Sequence, residues 1–359
     1  MFWGLDPAMR NRLILALALA VALLSRQSGG ICGDPPQGDP PGPPANSSGS
    51  RELVPVPTLG GMQLWADELF FHKWRIQRNV VTGHCRLVDG NNLRHAFGDF
   101  DHCRAVLEQV KRDRKLPPMK GRAAIVLHGL GGPPAEMNPL CKHLEREGGF
   151  EVFNVAYPST RRGIAEHAKA LSGIVAGLDG IEEIHFVGFS LGNIVIRRYL
   201  ADQSDAAKGK RLDPRIKRFV MLGPPNHGAE LATQLRGSGA VKLLLGESLS
   251  GLGERWAWEE LRLGTPPCEF GIIAGGLGND QGFNPLLPGD DDGIVTVAST
   301  RLAGASDFVL VPIIHSFIPR NAKVAEYTLR FLQRGYFVSP ERRQPVREKS
   351  EGRGERDEG

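Results

Sequence analysis

The sequence has few cysteines, and their arrangement excludes several kinds of site. Its 359 residues include five, namely Cys32, Cys85, Cys103, Cys141 and Cys268. The number is odd, and their spacings match no disulfide framework, zinc site or Cys-x-x-Cys redox motif. Cys85 and Cys103 are the closest pair along the chain, and free, buried thiols are an equal expectation for all five.

The sequence also lacks a large excess of charge of one sign. Lysine and arginine number 44 against 40 aspartates and glutamates, a net charge of +4, and both signs are mixed along the chain. A nucleic-acid binder would carry a one-sided basic face with exposed aromatic residues, so no nucleic-acid partner is predicted. The sequence contains neither Gly-x-Gly-x-x-Gly nor Gly-Lys-[Ser/Thr], the common phosphate-loop patterns, and no feature requires a cofactor.

Long apolar runs are missing except at the amino terminus. Residues 13–24 read LILALALAVALL and follow Arg10 and Arg12. The run is short for a membrane span but fits a signal-peptide core with a basic flank. We therefore interpret residues 1–30 as a signal peptide or an N-terminal membrane anchor and expect an exported protein, periplasmic, secreted or membrane-anchored. Lipidation at Cys32 is a further alternative.

Composition divides the rest of the chain into four parts. Residues 31–52 are rich in proline, glycine and serine and are expected to form a flexible linker. Residues 53–120 are interpreted as an N-terminal extension, and residues 121–338 as a catalytic domain. Residues 339–359 carry charges of both signs with almost no apolar residues, which predicts disorder.

The N-terminal extension is predicted to contain a hairpin and a helix packed on the catalytic domain. Two strand-like runs flank Thr82 and Gly83. Helical spacing then places several apolar residues on one face, with Asp99 or Asp101 as the N-cap. Those apolar residues are Phe100, Cys103, Val106, Leu107 and Val110.

From residue 121 onward, apolar strands alternate with amphipathic helices. This alternation predicts a mostly parallel sheet covered by helices on both faces. In such a sheet, functional residues collect at the carboxyl ends of the strands. The strand ends are therefore where candidate catalytic residues should be found.

One junction between a predicted strand and a predicted helix, residues 185–193, reads HFVGFSLGN. Ser190 lies between Gly188 and Gly192, at the point where a strand ends and a helix begins with Leu191. This context distinguishes a nucleophile elbow from an ordinary surface turn, because a turn so tight has room only for small residues at the flanking positions. The helix N-terminus presents partially positive amides, and the Leu191 amide is a candidate oxyanion donor.

A second donor is predicted in the loop after an earlier strand. Residues 127–132 read LHGLGG, and Gly129 and Gly131 allow a sharp turn that aims amides inward. The Leu130 amide is the candidate donor, and His128 is expected to shape the loop.

A serine nucleophile needs a base, and in hydrolases with such an elbow the order is serine, acid, histidine. Only His227 and His315 follow Ser190. The acids before His227 lie in or near the helix after the serine and are badly placed to orient an imidazole. His315 is therefore favoured, with one of three neighbouring carboxylates as its partner. The three are Asp290, Asp291 and Asp292. A solvated acidic loop or a calcium site are alternatives for this run.

Five motifs occur in order, namely HGLGG, GFSLGN, GPPNHGAELA, DDDGIVTVAST and HSFI. Together they resemble the α/β-hydrolase lipase/esterase superfamily, and in particular bacterial lipase-like serine hydrolases, over residues 123–335. The resemblance implies the α/β-hydrolase fold and hydrolysis of carboxylic esters, including acyl lipids, through an acyl-serine. It implies a triad of Ser190, Asp292 and His315, with Asp290 and Asp291 as loop carboxylates.

Several alternatives remain open from the sequence. Residues 229–267, with Trp256 and Trp258, are either a lid over an acyl pocket or packed helices, so lipase and esterase are not separated. An acyltransferase, thioesterase or amide hydrolase would use the same triad, and a non-catalytic binding protein would share only the fold. Asn226 and His227 are expected to shape the pocket rim or form a plain turn.

Overall fold

A computed structural model describes residues 56–57, 62–205, 209–227 and 263–347. The predicted signal or anchor segment, the linker, most of the lid segment with Trp256 and Trp258, and residues 348–359 lie outside the described residues. In the part that is described, every helix is too short or too polar to cross a membrane.

The N-terminal extension contains a five-stranded antiparallel sheet, which is larger than the predicted hairpin. Its strands are β1 (Val56–Pro57), β2 (Trp65–Phe71), β3 (Trp74–Asn79), β4 (Cys85–Val88) and β5 (Leu93–Gly98). They are hydrogen-bonded in the order β1-β5-β4-β3-β2. The predicted hairpin is the β3–β4 pair, whose connection contains Thr82 and Gly83.

Helix α1 (Phe100–Asp113) begins where the sequence predicts it. The Asp99 carboxylate accepts a hydrogen bond from the His102 amide at 2.7 Å, which satisfies one of the free amides of the first turn. Cys103 is buried on the inner face of the helix. Cys85 is buried as well, and both thiols are free, so this pair forms no disulfide.

The central sheet is parallel throughout its described part. Its strands are β6 (Gly121–Leu127), β7 (Glu151–Val155), β8 (Ile181–Phe189), β9 (Ile216–Leu222), β10 (Glu269–Gly275) and β11 (Asp307–Val311). They lie in the order β11-β10-β9-β8-β6-β7. The helices are α2 (Asn138–Gly148), α3 (Ile164–Ala176), α4 (Leu191–Gln203), the one-turn α5 (Val297–Thr300) and α6 (Ala322–Arg334).

Side-chain alternation along the strands divides the core into two layers. In β6, Ile125 faces α3, α4 and the N-terminal sheet, whereas Val126 faces α2 and α6. Both faces of the sheet are therefore covered and apolar, as expected for parallel strands. The predicted fold class, an α/β-hydrolase fold with helices on both faces, is confirmed.

The N-terminal sheet is attached to the domain that contains the central sheet by a buried carboxylate. Asp67 of β2 accepts a hydrogen bond from the Ala156 amide at 2.6 Å and from the Gln77 amide nitrogen at 2.7 Å. The Asp67 amide in turn donates to the Ala156 carbonyl at 2.9 Å. Burial raises the pKa of Asp67, and these hydrogen bonds oppose that rise.

The direction in which successive strands are added to the sheet reverses at β6. After β6 it runs outward to the edge strand β7, and it then returns past β6 to β8. The loops that follow β6 and β8 therefore leave in opposite directions and open a crevice at the carboxyl edge of the sheet. The two predicted oxyanion segments lie at this crevice, and Leu127 and Gly188 are in register across the strand pair.

The prediction of disorder from residue 339 is wrong for its first part. Pro340–Arg342 forms a 3-10 turn. The Gln344 amide then donates to the Asp307 carboxylate, and Val346 exchanges backbone hydrogen bonds with Gly304 and Ala305. A single apolar side chain, that of Val346, packs against the core and fixes a segment whose composition is otherwise polar.

Candidate active site

Ser190 lies at the junction of β8 and α4 in a strained conformation. Its φ of 50° and ψ of −119° are unfavourable for a residue with a side chain, and such strain concentrates at functional sites. Three hydrogen bonds fix it: the Ser190 amide donates to the Leu222 carbonyl at 3.0 Å, and the Ser190 carbonyl accepts from the backbone and side-chain nitrogens of Asn193. The elbow is thus tied to its own helix and to the end of β9.

The two elbow glycines are needed for different reasons. A Cβ on Gly188 would lie 2.5 Å from the Asn193 side-chain oxygen and 2.7 Å from its backbone nitrogen. A Cβ on Gly192 would lie 2.6 Å from the Leu127 carbonyl oxygen, at the end of β6. Each glycine therefore clears room for a separate neighbour, one in the helix and one in the adjacent strand.

The loop after β6 lies directly against the elbow. A Cβ on Gly129 would lie 3.3 Å from the Ser190 Cβ. The Gly129 amide donates to Glu136 at 3.0 Å, and the Gly131 amide donates to the Ser159 hydroxyl at 2.9 Å. The Leu130 amide between them has no hydrogen-bond acceptor among the described residues.

At the start of α4, the Leu191 amide also has no acceptor within the described part of the chain. Unpaired amides at a helix N-terminus carry partial positive charge and bind anions. Leu130 and Leu191, the two donors predicted from the sequence, thus both have an available N–H beside the crevice.

His128 supports the loop after β6, as the sequence predicts. It is buried, stacks on Tyr157 with ring centroids 4.3 Å apart, and its Nδ1 lies 2.8 Å from the Gly129 carbonyl oxygen. The Tyr157 hydroxyl donates to the His128 carbonyl at 2.6 Å. Burial lowers the pKa of His128 to about 4, so the ring is neutral near pH 7 and supports the loop.

His315 is paired with a buried carboxylate. Its Nδ1 lies 2.6 Å from Asp292 Oδ2, and both side chains are buried. The other carboxylate oxygen of Asp292 accepts from the amides of Ile294 and Val295 at 3.1 and 2.7 Å. An ionised carboxylate only accepts hydrogen bonds, so Nδ1 carries the proton and Nε2 is left as the basic nitrogen.

The neighbouring carboxylates have other partners. Asp290 accepts from the amides of Leu277 and Gly278, and Asp291 accepts from those of Asn284 and Gly293. Burial raises the pKa of Asp291 to about 6. Of the three aspartates, the structure therefore pairs only Asp292 with His315. Among the described residues, no group of histidine, cysteine, aspartate and glutamate side chains is arranged to hold a metal.

The elbow and the histidine are brought together at neighbouring strand ends. The Phe189 and His315 rings are 4.9 Å apart, and Leu222 of β9 pairs with Phe189. A Cβ on Gly223 would lie 3.1 Å from the His315 ring, so this glycine makes room for the imidazole. The described residues show no hydrogen bond between His315 and the Ser190 hydroxyl.

His227, the other histidine after the elbow, has no carboxylate partner among the described residues. Its Nε2 lies 2.8 Å from the Arg301 carbonyl oxygen. Asn226 is buried and donates to the Thr300 carbonyl at 2.7 Å, while its own side-chain oxygen accepts from Arg197. Both residues thus anchor the loop after β9. The buried Arg197 joins this loop, a contact that no sequence pattern indicates.

Exposed apolar side chains are concentrated in the segments that follow β10 and β11. Of seven large ones among the described residues, five follow β10 or β11, and we call these five the apolar rim. They are Leu277, Leu286, Ile294, Ile314 and Phe317. Ile294 follows Asp292 by two residues and Ile314 directly precedes His315. A Cβ on Gly293 would lie 3.8 Å from Ile314, so the two loops are in contact.

No protein-family model matches the chain, and no curated protein matches it in sequence. Solved structures with a similar fold include the product of gene lin2722 from Listeria innocua, at 16% identity over 60% of this chain and 95% of that one, with a TM-score of 0.41. Naproxen esterase from Bacillus subtilis is 15% identical over 60% of this chain and 85% of that one, with a TM-score of 0.37. Esterase B from Lactobacillus rhamnosis is 14% identical over 60% and 76%, with a TM-score of 0.42.

Proposed function

We propose that this chain is a serine hydrolase that cleaves carboxylic esters through an acyl-serine intermediate. Ser190 is the nucleophile, His315 the general base and Asp292 the acid that orients it. The observation that carries the proposal is the combination of a strained serine elbow with a buried, oriented imidazole at the neighbouring strand ends. A binding protein would have no need for either feature.

In the first half of the reaction, the Ser190 oxygen attacks the ester carbonyl carbon and His315 Nε2 takes the serine proton. The carbonyl oxygen becomes an oxyanion that the amides of Leu130 and Leu191 can bind. Each such donor contributes roughly 2.7–4 kcal/mol of transition-state stabilisation. The C–O bond then breaks, and the leaving alcohol receives the proton from His315.

In the second half, His315 takes a proton from water as the water oxygen attacks the acyl carbon. The bond between the acyl carbon and Ser190 breaks, and the proton returns to the serine oxygen. Asp292 accepts the hydrogen bond of the Nδ1 proton throughout and stabilises the imidazolium that forms in each half. The products are the carboxylic acid and the free enzyme, with no cofactor consumed.

The apolar rim supports an acyl substrate with a substantial apolar part. Ile294, Ile314 and Phe317 lie within two residues of the paired Asp292 or His315 and are 46%, 41% and 51% exposed. An acyl chain that covers this surface gains roughly 25 cal/mol for each square ångström removed from water. We therefore favour esters of medium or long acyl chains over acetate esters. The same triad could also carry out acyl transfer or cleave thioesters or amides. The assay described next distinguishes these reactions from ester hydrolysis.

The direct test is hydrolysis across a p-nitrophenyl acyl series by the protein lacking residues 1–30, beside its Ser190→Ala variant. The proposal predicts activity that peaks beyond the acetate ester and vanishes in the variant. Competing acyl acceptors and matched thioesters and amides, assayed in parallel, identify the preferred bond and acceptor. Folded protein with no activity on any of these substrates would contradict the proposal.

We also propose that the protein is exported, on the basis of the apolar run and its basic flank. Residues 1–30 fused to a reporter that is active only outside the cytoplasm should give signal. The Leu17→Asp variant, which places a charge inside the run, should not. Intact native chain found only in the soluble cytosol would contradict export.

A further inference from the structure

We propose that Glu136 is the positioning residue of the oxyanion loop: it fixes residues 129–132 so that the Leu130 amide alone remains available at the crevice. The proposal rests on the proposed function above for its kinetic consequence. Its structural basis is separate and concerns how a glycine-rich loop is held in one conformation.

The Glu136 carboxylate is enclosed by the loop that it would position. One of its oxygens accepts a hydrogen bond from the Gly129 amide at 3.0 Å. A Cβ on Gly132 would lie 2.5 Å from that oxygen and 2.8 Å from the second carboxylate oxygen. The carboxylate therefore occupies the space of the missing Gly132 side chain and contacts the loop at both ends.

The base of the Glu136 side chain is fixed to the core. It lies in a short 3-10 helix (Pro134–Met137), and its own amide donates to the Pro133 carbonyl at 3.0 Å. Met137, the next residue, is fully buried between the sheet and α2. A carboxylate on such a base can hold a flexible loop in place.

Two anchors act on the loop together. Glu136 holds the Gly129 amide, and the Ser159 hydroxyl holds the Gly131 amide at 2.9 Å. The Leu130 amide lies between these two and has no acceptor among the described residues. A run of glycine-flanked amides would otherwise sample many orientations, because glycine restricts the backbone least. Preorganised donors stabilise an oxyanion without reorganisation at the moment of reaction.

The surroundings of Glu136 act on its pKa in both directions. Burial raises the pKa of Glu136, while the hydrogen bond from the Gly129 amide and the electrostatic effects of His315 and Arg320 oppose that rise. Tyr157, on the other side, is buried and its raised pKa keeps it neutral. His315 itself is paired with the Asp292 carboxylate.

The test compares Glu136→Ala and Glu136→Gln with a matched control, Glu166→Ala. Glu166 also accepts a hydrogen bond from a glycine amide, that of Gly163 at 3.1 Å, but it does so at the start of α3. Three quantities are measured: kcat and KM on a p-nitrophenyl ester, and the inhibition constant of a trifluoromethyl ketone that mimics the tetrahedral intermediate.

For Glu136→Ala, we expect kcat to fall about 10- to 100-fold and the ketone to bind more weakly by a similar factor, with KM within about threefold, since the lost donor alignment acts on the transition state. Glu136→Gln keeps an acceptor for the Gly129 amide and should recover most of kcat. Equal kcat and ketone affinity in Glu136→Ala and Glu166→Ala would overturn the proposal.

Hydrogen exchange of the peptide that covers residues 128–133 provides a readout that does not need activity. Exchange should be faster in Glu136→Ala than in the wild type, Glu136→Gln and Glu166→Ala, and unchanged exchange would overturn the proposal. If Glu136→Ala does not fold, Glu136→Asp replaces it, because the shorter side chain cannot reach the Gly129 amide. Wild-type protein that is inactive yet shows the exchange difference would contradict the proposed function and leave the positioning role standing.

Discussion

Nδ1 of His315 lies 2.6 Å from Oδ2 of Asp292, and the His315 backbone amide donates to the Asp292 carbonyl at 2.8 Å. The two residues are thus joined through both side chain and backbone. This double link connects the loop after β10 to the loop after β11 and leaves the imidazole one tautomer. The base of the proposed reaction is oriented by the fold before any substrate binds.

Asp292→Asn should lower kcat by about 10³- to 10⁴-fold, because an amide in place of the carboxylate favours the wrong imidazole tautomer. Asp291→Asn is the matched control, since Asp291 lies one residue away and its carboxylate accepts from the Asn284 and Gly293 amides instead. Ester hydrolysis by both variants checks the prediction. A larger loss in the Asp291 variant would move the acid assignment.

Gly223→Ala should reduce activity more than stability. A methyl group there lies 3.1 Å from the His315 ring, and φ is +50°. Gly83→Ala shares the positive φ but has open space around the new methyl group, so it isolates the backbone effect. Both variants should lose about 1 kcal/mol of unfolding free energy, while only Gly223→Ala should lose about 10- to 100-fold in kcat through a displaced imidazole. Urea unfolding shows whether both variants are folded. If they are folded and have equal kcat values, this account is contradicted.

Phe317→Ser should raise KM for octanoate and longer esters by about tenfold, and leave the acetate ester unchanged, because Phe317 of the apolar rim would lose its contact with the acyl chain. Phe97→Ser is the control, since Phe97 is similarly exposed, at 49% against 51%, but lies on the N-terminal sheet. A chain-length profile that does not change in Phe317→Ser would exclude the rim from acyl binding.

Asp291 predicts a pH dependence of stability. Its pKa is raised from an ordinary 3.8 to about 6, mainly by burial, so the folded state holds this proton more tightly than the unfolded state. The contribution is complete below the ordinary value and is lost as pH rises through about 6. The unfolding free energy of the wild type minus that of Asp291→Asn should therefore fall between pH 4 and pH 7 in urea titrations. A difference that is flat or rises with pH would contradict the assignment.

The strand–helix alternation, the elbow and the loop after β6 were predictable because each is set by residues close together in the sequence. Glycines at 188 and 192 and the apolar run before Ser190 encode the turn locally. His315 was also predictable, since only two histidines follow the elbow. Motif order and strand-end placement then narrowed the acids to three adjacent aspartates, and the resemblance to the lipase/esterase superfamily selected Asp292 among them.

The parts that were missed depend on contacts between distant residues. Strand β2 contains Asp67 and Glu68, whose charges obscure the alternation of a half-buried strand in the sequence. One of the partners of Asp67 is the Ala156 amide, 89 residues away. Glu136 reads as an ordinary helical glutamate until the fold places Gly129 and Gly132 around it. The ordered residues after 339 depend on one valine and on the Asp307 carboxylate.

The most direct measurement is the mass of the intact protein after incubation with a fluorophosphonate, followed by mapping of the labelled peptide. The account predicts a single adduct on Ser190, absent from Ser190→Ala and much slower to form in Asp292→Asn and in a His315→Ala variant. Folded protein that takes up no label, or an adduct on any other residue, would contradict the claim that Ser190 is the nucleophile.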